Sequence, residues 1–442
     1  MKRIFDDFAY GDGPRAGCWW DETSAPIRRE TFEESGVVDV AIIGAGFTGL
    51  SAALHLARAG VNAVVLEAEH VGWGASGRNG GFCCTGGGIA SDAALDQLYG
   101  RIERIEFRRT ELDAIGFVHN VIQTHGIDVD RHSNGETLMA HRAKDMATLQ
   151  AHAATVEENY GVAYHMHGAA ELAGLGLSGP FHGALTVEAG FGLNPRKYIE
   201  GLANAAVSAG ARIFEKSAVT ELNQKRGRWT LCVNGKTLRA DHVVLATNGY
   251  SSEDVPKWLA GRYMPSQSNV IVTRPLTDDE IQAAGWSTDQ MAYDTKNLLH
   301  YFRLMPDRRF LFGMRGGLMT GAKAEARASA TIRAEFDAMF PAWRNVEAAH
   351  GWSGMVCLAR NMQPFVGPVP DHSGLWAGLC YHGNGVAMGS YSGAILADLI
   401  LGRTPDMRYP AAMKTPLQRF GLGRLRRAIM PVVYGALMLA DR

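Results

Sequence analysis

The 442-residue sequence predicts a mixed α/β fold built around a parallel strand–helix–strand unit near its N-terminus. Three observations predict it: an apolar run that breaks into glycines at 37–49, a helix-like run of small and apolar residues at 50–60, and a second apolar run, VNAVVLEAE. Short apolar runs of this kind are typical of parallel strands covered by helices on both faces. The three segments span about thirty residues, the length of a βαβ unit.

The composition narrows the functional classes. Lysine and arginine number 44 and aspartate and glutamate 45, so no basic excess predicts nucleic-acid binding. No apolar stretch reaches the length of a transmembrane helix, and the N-terminus MKRIFDDFAYGDG lacks the apolar run of a signal peptide. The six cysteines form no CxxC pair and have no zinc spacing. We therefore expect free thiols, no metal site and a cytoplasmic location.

The remaining segments alternate between helical and strand-like patterns. Residues 90–165 are mostly helical, and a helix is predicted over 194–210 with Asn194 as its cap. Short strands follow up to residue 250, with a hairpin at Asn234-Gly235. Later come the strand-like LLHYFRL and RRFLFGM, a helical patch at 324–340, a strand, glycine turn and helix at 374–402, and a tail that is basic and then apolar.

A glycine fingerprint follows the first predicted strand. Gly44 allows the tight turn, Gly46 leaves room for a pyrophosphate, and Gly49 lets the helix pack closely, as in the GxGxxG motif. Glu67, 18 residues past Gly49, suits the acid that binds ribose hydroxyls. A second match at 174–179 follows no predicted strand and runs into a proline, so we interpret it as a loop. The first unit is therefore predicted to bind a dinucleotide.

Three further features favour FAD over NAD as that dinucleotide. The loop GWGASGRNGG at 72–81 follows the ribose acid and would bring backbone amides, Ser76 and Arg78 to phosphate or ribityl groups. The strand ending in LATNGY would return to the nucleotide. The GNGV turn at 383–386 opens a helix whose N-terminus suits the negative charge of a reduced flavin.

These motifs resemble those of a known family. VDVAIIGAGFTGLSAALHLARAGVNAVVLEA, VGWGASGRNGGF, DTKNLLHYFRL with RRFLFGMR, and GNGVAMGSYSGAILADLI resemble, in this order, the D-amino-acid oxidase-like flavoprotein amine oxidases, especially the γ-glutamylputrescine oxidase branch. The resemblance implies a two-domain fold of the glutathione-reductase type. It comprises a Rossmann-like FAD-binding domain (1–90, 185–255 and 350–405), a substrate domain with an antiparallel sheet (91–184 and 256–349) and a helical tail (406–442).

The predicted FAD contacts lie in a few short segments that the fingerprint, the loop and the resemblance indicate. They are Gly44, Gly46, Phe47, Thr48, Gly49, Glu67, Ala68, Gly74, Ala75, Ser76, Arg78, Asn79, Gly80, Gly81, Val219, Ala246, Thr247, Gly249, Gly383, Asn384, Gly385, Val386 and Ala387. We expect non-covalent FAD, because the surroundings of Cys357 do not align with the cysteine that carries FAD in some relatives.

The resemblance also implies oxidation of a primary or secondary amine, such as a γ-glutamylated polyamine or an amino acid. A hydride would pass from the carbon beside the nitrogen to flavin N5, and water would hydrolyse the imine to a carbonyl. O2 or another acceptor would reoxidise the flavin. The flavin-proximal lysine of the sarcosine oxidases has no counterpart in RRFLFGM, so oxidase and dehydrogenase both stay open. An NAD(P)H-dependent flavin hydroxylase and a non-catalytic flavin-binding protein are the alternatives.

Three residues are candidates for catalytic contacts. Tyr301 and Arg303 alternate onto one face of HYFRL, a strand that lines the cavity over the flavin in the resembled family. Arg303 could bind a substrate carboxylate bidentately or pair with Asp294 or Asp307. His382, just before the glycine turn, could reach the pyrimidine edge of the flavin or serve the fold.

Overall fold

Two eight-stranded sheets organise the computed structural model, which describes residues 1–25, 27–317 and 320–441. The strands are β1 (Gly36–Ile43), β2 (Ala63–Leu66), β3 (Phe82–Cys83), β4 (Glu136–Met139), β5 (Tyr164–Gly168), β6 (Gly183–Val187), β7 (Phe191–Gly192), β8 (Arg212–Phe214), β9 (Val219–Lys225), β10 (Arg228–Val233), β11 (Lys236–Leu245), β12 (Met264–Val272), β13 (Met291–Asp294), β14 (His300–Leu304), β15 (Phe310–Arg315), β16 (His350–Leu358), β17 (Phe365–Pro368) and β18 (Leu375–Leu379). The α-helices are α1 (Phe47–Arg58), α2 (Asp92–Tyr99), α3 (Arg101–His125), α4 (Asp145–Tyr160), α5 (Pro195–Ser208), α6 (Asp278–Ala284), α7 (Ala322–Met339), α8 (Gly385–Ile400), α9 (Ala411–Lys414) and α10 (Met430–Ala440).

The first sheet contains the predicted strand–helix–strand unit. Its strand order is β17-β18-β11-β1-β2-β8, and the β9–β10 hairpin joins it at β11. β1 pairs in parallel with both β2 and β11, as expected for a buried central strand. α1 packs against α5 and α8, and these helices bury apolar side chains of β1 and β2 in one core. The carboxyl end of β1 therefore opens at the start of α1.

Several local predictions are confirmed. Asn194 caps α5 by accepting hydrogen bonds from two backbone N–H groups of its first turn. Between β10 and β11, Asn234 and Gly235 have φ values of 49° and 76°, which a two-residue type I′ hairpin requires. The second GxGxxG match lies at the end of a 3-10 helix, Ala169–Leu175, and in the turn after it. It therefore does not connect a strand to an α-helix.

The second sheet has the order β16-β12-β15-β14-β13-β4-β6-β5. It was predicted to be antiparallel, but it is mixed, because β4 pairs in parallel with β13 while the other neighbours are antiparallel. An aromatic cluster that includes Trp286, Phe302 and Phe310 packs under this sheet against α7. β14 alternates as predicted, since Phe302 enters this cluster while Tyr301 packs in a different one.

The predicted domain ranges remain a prediction, and strand pairing departs from them at two places. β16, which falls within 350–405, pairs with β12 of the second sheet. β6, whose last residues fall within 185–255, pairs with β4 and β5 of the same sheet. The tail at 406–442 contains α9 and α10. No helix in the described ranges is long and apolar enough to cross a membrane.

Candidate cofactor and substrate site

One cavity is lined by both sheets. Its wall begins at the turn after β1, follows the loop at 72–81 and the start of α8, and ends at side chains of β4, β12, β13, β14 and β15. The two ends differ in chemistry. Glycines and backbone groups form most of the first end, whereas polar side chains form the second.

The fingerprint glycines keep the first end open. Gly44 has a φ of 105°, and a Cβ there would lie 2.8 Å from the carbonyl oxygen of Ala246. A Cβ on Gly46 would lie 2.9 Å from the Ser76 hydroxyl, at the wall of the cavity. Gly49 does not line the cavity; a Cβ there would overlap the carbonyl oxygen of Gly44. The tight turn at Gly44 and the close packing at Gly49 are as the fingerprint predicts, and the space above Gly46 fits a pyrophosphate.

Glu67 follows β2 and reaches back to the turn after β1. Its carboxylate accepts hydrogen bonds from the N–H groups of Ala45, at 2.8 Å, and Glu69, at 3.0 Å. Burial raises the pKa of Glu67. A carboxylate has about four acceptor positions, so two remain for ribose hydroxyls. This donor set fits the adenosine half of FAD.

α1 and α8 begin at the same cavity. Gly393 of α8 lies so close to α1 that a Cβ there would overlap the carbonyl oxygen of Thr48. At the start of α8, the Asn384 amide donates to the carbonyl oxygen of Thr85 at 2.9 Å. Each helix start has backbone N–H groups without helical partners and the positive end of the helix dipole. The cavity therefore has two separate places that suit negative charge.

The loop at 72–81 is fixed by side chains from distant segments. Trp20 donates to the carbonyl oxygen of Asn79 and Trp352 to that of Arg78, both at 2.8 Å. The Arg78 guanidinium donates to the carbonyl oxygens of Trp73 and Ser353 and lies 4.5 Å from the Trp73 ring centroid. Arg78 lines the cavity, and these bonds use three of the five N–H donors of its guanidinium to hold the loop.

Most of the predicted FAD contacts line this cavity. Those that do are Gly44, Gly46, Phe47, Thr48, Glu67, Ala68, Gly74, Ala75, Ser76, Arg78, Asn79, Gly80, Val219, Ala246, Thr247, Gly383, Asn384, Gly385 and Val386. Gly49, Gly81, Gly249 and Ala387 lie behind the wall. Gly249 instead faces the Met355 side chain, where a Cβ would be 3.1 Å away.

Tyr301 lines the second end, as predicted. Its hydroxyl lies 3.0 Å from that of Ser268, and its ring packs edge-on against Phe82. The ring fits only because its neighbours are glycines: a Cβ on Gly80 would lie 2.6 Å from it, and one on Gly313 would overlap it. Burial raises the pKa of Tyr301, so its hydroxyl is protonated at neutral pH and can donate a hydrogen bond.

Arg303 does not line the cavity, contrary to the prediction of a substrate contact. Its guanidinium donates to the carbonyl oxygens of Gly81, at 2.5 Å, and Leu193, at 2.9 Å. Neither suggested pairing is formed as an ion pair: Asp294 instead bonds His300 at 2.7 Å. Burial lowers the pKa of Arg303 to about 9, which still leaves it charged at pH 7. Arg303 therefore positions the end of the 72–81 loop.

His382 is also displaced from the wall. It is buried with a φ of 54°, and its Nε2 accepts a hydrogen bond from the N–H of Ala359 at 3.4 Å. Burial lowers the pKa of His382 to about 4, so the ring is neutral at pH 7. Its neighbour Gly383 lines the cavity instead. His382 thus shapes the turn before α8, in agreement with the structural alternative.

Five polar side chains at the second end were not predicted from the sequence. They are Arg315, Glu136, Tyr293, Ser268 and Thr85. A signal existed for Arg315, which directly follows the RRFLFGM motif and shares a strand face with Gly313. In the described ranges its guanidinium has no hydrogen bond or ion pair, and it lies near Gly383, where a Cβ would be 2.7 Å from Nη2. Burial lowers the pKa of Arg315.

All six cysteines are free in the structure. Cys84 lines the cavity but its neighbour Cys83 does not, and burial raises the pKa of both thiols. Cys357 also lines the cavity, with its sulfur 3.5 Å from that of Cys380. Among the described residues, no group of histidine, cysteine and acidic side chains could hold a metal ion.

The glycine turn after β1, the buried Glu67 carboxylate and the polar second end define a protein of the dinucleotide-binding class with room for a second ligand. The family model described as FAD dependent oxidoreductase (DAO) matches residues 39–399. The chain therefore belongs to this family of FAD-dependent enzymes, which confirms the resemblance carried by its motifs.

Curated relatives extend over nearly the whole chain. A probable oxidoreductase, OrdL, from Rhizobium meliloti (strain 1021) is 30% identical over 431 residues, which cover 96% of this chain and 98% of the relative. Gamma-glutamylputrescine oxidoreductase from Escherichia coli (strain K12) is 30% identical over 398 residues, which cover 90% and 91%.

Solved structures share the fold. Glycine oxidase from Geobacillus kaustophilus superposes with a TM-score of 0.72 at 18% identity, covering 87% of this chain and 100% of that one. Iminodiacetate oxidase from Chelativorans sp. BNC1 gives a TM-score of 0.69 at 18% identity, covering 86% and 100%. The predicted mixed α/β, two-sheet fold class is thus confirmed.

Proposed function

We propose that this FAD-dependent oxidoreductase oxidises a primary or secondary amine at the carbon beside its nitrogen. One observation carries the proposal: the cavity continues past the dinucleotide end into a polar end lined by Tyr301, Ser268, Arg315 and Glu136. A protein that only binds FAD needs no such second compartment. When bound, FAD would accept a hydride from the substrate carbon. The named relatives that act on γ-glutamylputrescine, glycine and iminodiacetate support an amine as donor.

The residues of the second end would hold the substrate rather than react with it. Tyr301 is fixed by Ser268 and by its packing between glycines, so its hydroxyl can orient a substrate oxygen or nitrogen. Arg315 takes the role first predicted for Arg303, because its guanidinium faces the cavity without a protein partner in the described ranges. A half-buried guanidinium without an ion pair in the described ranges favours an anionic or carbonyl group of the substrate. Positioning of this kind supplies much of the rate enhancement in such reactions.

The test begins with the purified protein. An oxidised-flavin absorption spectrum should be present, or should develop when FAD is added. Under anaerobic conditions glycine, iminodiacetate, putrescine and γ-glutamylputrescine would be mixed with it one by one, and at least one amine should bleach the flavin. Bleaching by NADPH alone would favour a flavin hydroxylase. A bound flavin that no amine or NADPH bleaches would favour a binding protein without turnover.

The same purified protein distinguishes an oxidase from a dehydrogenase. Amine-reduced enzyme would be exposed to air-saturated buffer or to an artificial acceptor under argon. Rapid return of the flavin spectrum in air with formation of hydrogen peroxide would make the protein an oxidase. Slow return in air and rapid return with the acceptor would make it a dehydrogenase.

We also propose that FAD is bound non-covalently. Cys357 lines the cavity, so a covalent bond between its sulfur and FAD is the alternative that must be tested. Acid precipitation should release all the flavin into the supernatant, from the native protein and from Cys357→Ser alike. Flavin that stays with the precipitated native protein but not with the variant would refute the proposal.

A cytoplasmic location is proposed on the basis of the cysteines. All six are free, and five of them are buried. A reducing compartment keeps such thiols unpaired. Recovery of the tagged native protein mainly in a soluble, non-periplasmic cell fraction is expected, and recovery with membranes or secreted proteins would contradict it.

A further inference from the structure

Glu136 at the start of β4 is a buried carboxylate in the wall of the cavity. Its Oε1 accepts hydrogen bonds from the N–H of Thr85, at 3.2 Å, and from the Thr85 hydroxyl. The Tyr293 phenol neighbours the carboxylate and stabilises its ionised form. The two Thr85 donors leave about two of the four acceptor positions of a carboxylate for a ligand.

Hydrogen bonds place Glu136 near the start of α8. The carbonyl oxygen of Thr85 accepts a hydrogen bond from Asn384, which immediately precedes that helix. Thr85 therefore connects Glu136 to the glycine turn that is proposed to face the flavin. A substrate held by Glu136 would have its reacting carbon at the flavin end of the cavity.

The charges around Glu136 favour a cationic ligand. In the described ranges Glu136 forms no ion pair, so no protein cation neutralises it. The titratable groups that interact with it come from α3, α4, β13 and the β3 segment: Glu111, Tyr160, Tyr293, Cys83 and Cys84. None of these is basic. Arg315 lines the same end of the cavity and, like Glu136, interacts with Cys84 and Tyr293, but it forms no ion pair with Glu136. Burial raises the pKa of Glu136 to about 7, so it can take up or release a proton near neutral pH.

We propose that Glu136 binds the ammonium group of the substrate and accepts one of its protons. This inference rests on the proposed amine oxidation. An ammonium nitrogen has no lone pair to assist departure of the hydride, so the amine must be neutral when its C–H bond breaks. In the proton transfer an N–H bond of the substrate breaks and an O–H bond forms on Glu136. No electrons are exchanged, and the proton later returns to solvent.

The reductive half-reaction tests this step. Glu136→Gln keeps the shape of the side chain and an acceptor for Thr85 but cannot take a proton. The FAD-bound variant would be bleached anaerobically with the amine that bleaches the native protein fastest. At pH 7 we expect a rate about 10²-fold lower than that of the native protein. The difference should shrink as pH rises, because free amine then enters the cavity without needing a base.

A matched control separates this role from simple loss of a buried carboxylate. Glu325 also accepts from neutral donors, the Ser353 hydroxyl and the Gln267 amide, and burial raises its pKa, but it does not line the cavity. Glu325→Gln should keep the native rate and pH profile. If Glu136→Gln shows a native rate and pH profile, the inference is wrong while the proposed amine oxidation stands. If no amine bleaches the native flavin, the proposed function itself fails.

A second variant covers the case in which Glu136→Gln does not fold. Tyr293→Phe removes the phenol hydroxyl that stabilises the ionised carboxylate, so the pKa of Glu136 should rise further. The midpoint of the pH dependence of the bleaching rate should move to higher pH, and the limiting rate at high pH should stay the same. An unmoved midpoint would show that Glu136 does not titrate in this reaction.

Discussion

The Thr48 hydroxyl lies 2.9 Å from the Tyr381 phenol, where α1 and the segment before α8 meet. Both groups are buried and both line the cavity. Tyr381→Phe would leave the Thr48 hydroxyl without this partner, at a cost of about 1–3 kcal/mol in the free energy of unfolding. FAD should also dissociate faster, because the two helix starts would be less firmly held together. Urea unfolding and flavin release measure the two effects.

Tyr391 provides the control for that prediction. It lies on α8 away from the cavity wall, and its phenol donates to the carbonyl oxygen of Arg408 at 2.9 Å. Tyr391→Phe should lower the free energy of unfolding but leave the Kd of FAD unchanged. Equal losses of FAD affinity in both variants would show that the Thr48–Tyr381 contact has no special part in binding.

A side chain at Gly46 should abolish FAD binding. Its Cβ would lie 2.9 Å from the Ser76 hydroxyl and would enter the space proposed for the pyrophosphate. Gly46→Val should therefore purify without flavin and should raise the Kd of added FAD at least about 100-fold, the effect of losing about 3 kcal/mol. Gly174→Ala in the second GxGxxG match is the control, since a Cβ there meets nothing within 4 Å. Loss of FAD in both variants would overturn this assignment.

Replacing Arg315 should weaken substrate binding without removing FAD. Arg315→Met keeps much of the apolar stem and removes a half-buried guanidinium that has no partner in the described ranges. The flavin spectrum should persist, the melting temperature should not fall, and the amine concentration for half-maximal bleaching should rise at least about tenfold. An unchanged amine requirement would contradict a substrate contact.

Arg303→Met, in contrast to the Arg315 variant, should reduce stability and FAD binding. It removes the donors to the carbonyl oxygens of Gly81 and Leu193, which hold the end of the 72–81 loop. Two buried acceptors would lose charge-assisted hydrogen bonds, each costing about 1.5–3 kcal/mol. We expect a lower melting temperature and weaker FAD binding. A variant with native stability and a raised amine requirement would instead restore the substrate role first predicted for Arg303.

The dinucleotide end could be predicted from sequence because its chemistry is local. Gly44, Gly46 and Gly49 act through their own backbone, and Glu67 lies at a fixed spacing from them. Strand, turn and helix follow one another along the chain, so a motif and its context determine the geometry. The same holds for the hairpin at Asn234-Gly235.

The second end could not be predicted because distant strands assemble it. Glu136 lies in no motif, and only the parallel pairing of β4 with β13 brings it beside Tyr293. Alternation correctly placed Tyr301 and Arg303 on one face, but it could not show that Gly81 and Leu193 would take the donors of Arg303. Whether a side chain faces the cavity or packs behind its wall depends on tertiary contacts, and the spacing of residues along the sequence does not determine these contacts.

The lowered pKa of His382 should make the stability of the folded protein decrease as the pH falls. Its pKa is lowered to about 4 in the folded protein, by burial and secondarily by Arg315, whereas an unfolded histidine has a pKa of about 6.5. Between these values the unfolded chain binds more protons, so this contribution is complete above about pH 6.5 and is lost as pH falls towards 4. His382→Asn removes the titrating ring, and asparagine tolerates the φ of 54°. The melting temperature of the variant should therefore fall less between pH 7 and pH 5 than that of the native protein, by an amount worth at most about 2 kcal/mol. The exposed His182→Asn is the control and should keep the native slope. Parallel slopes for all three proteins would show that His382 is protonated without cost in the folded state.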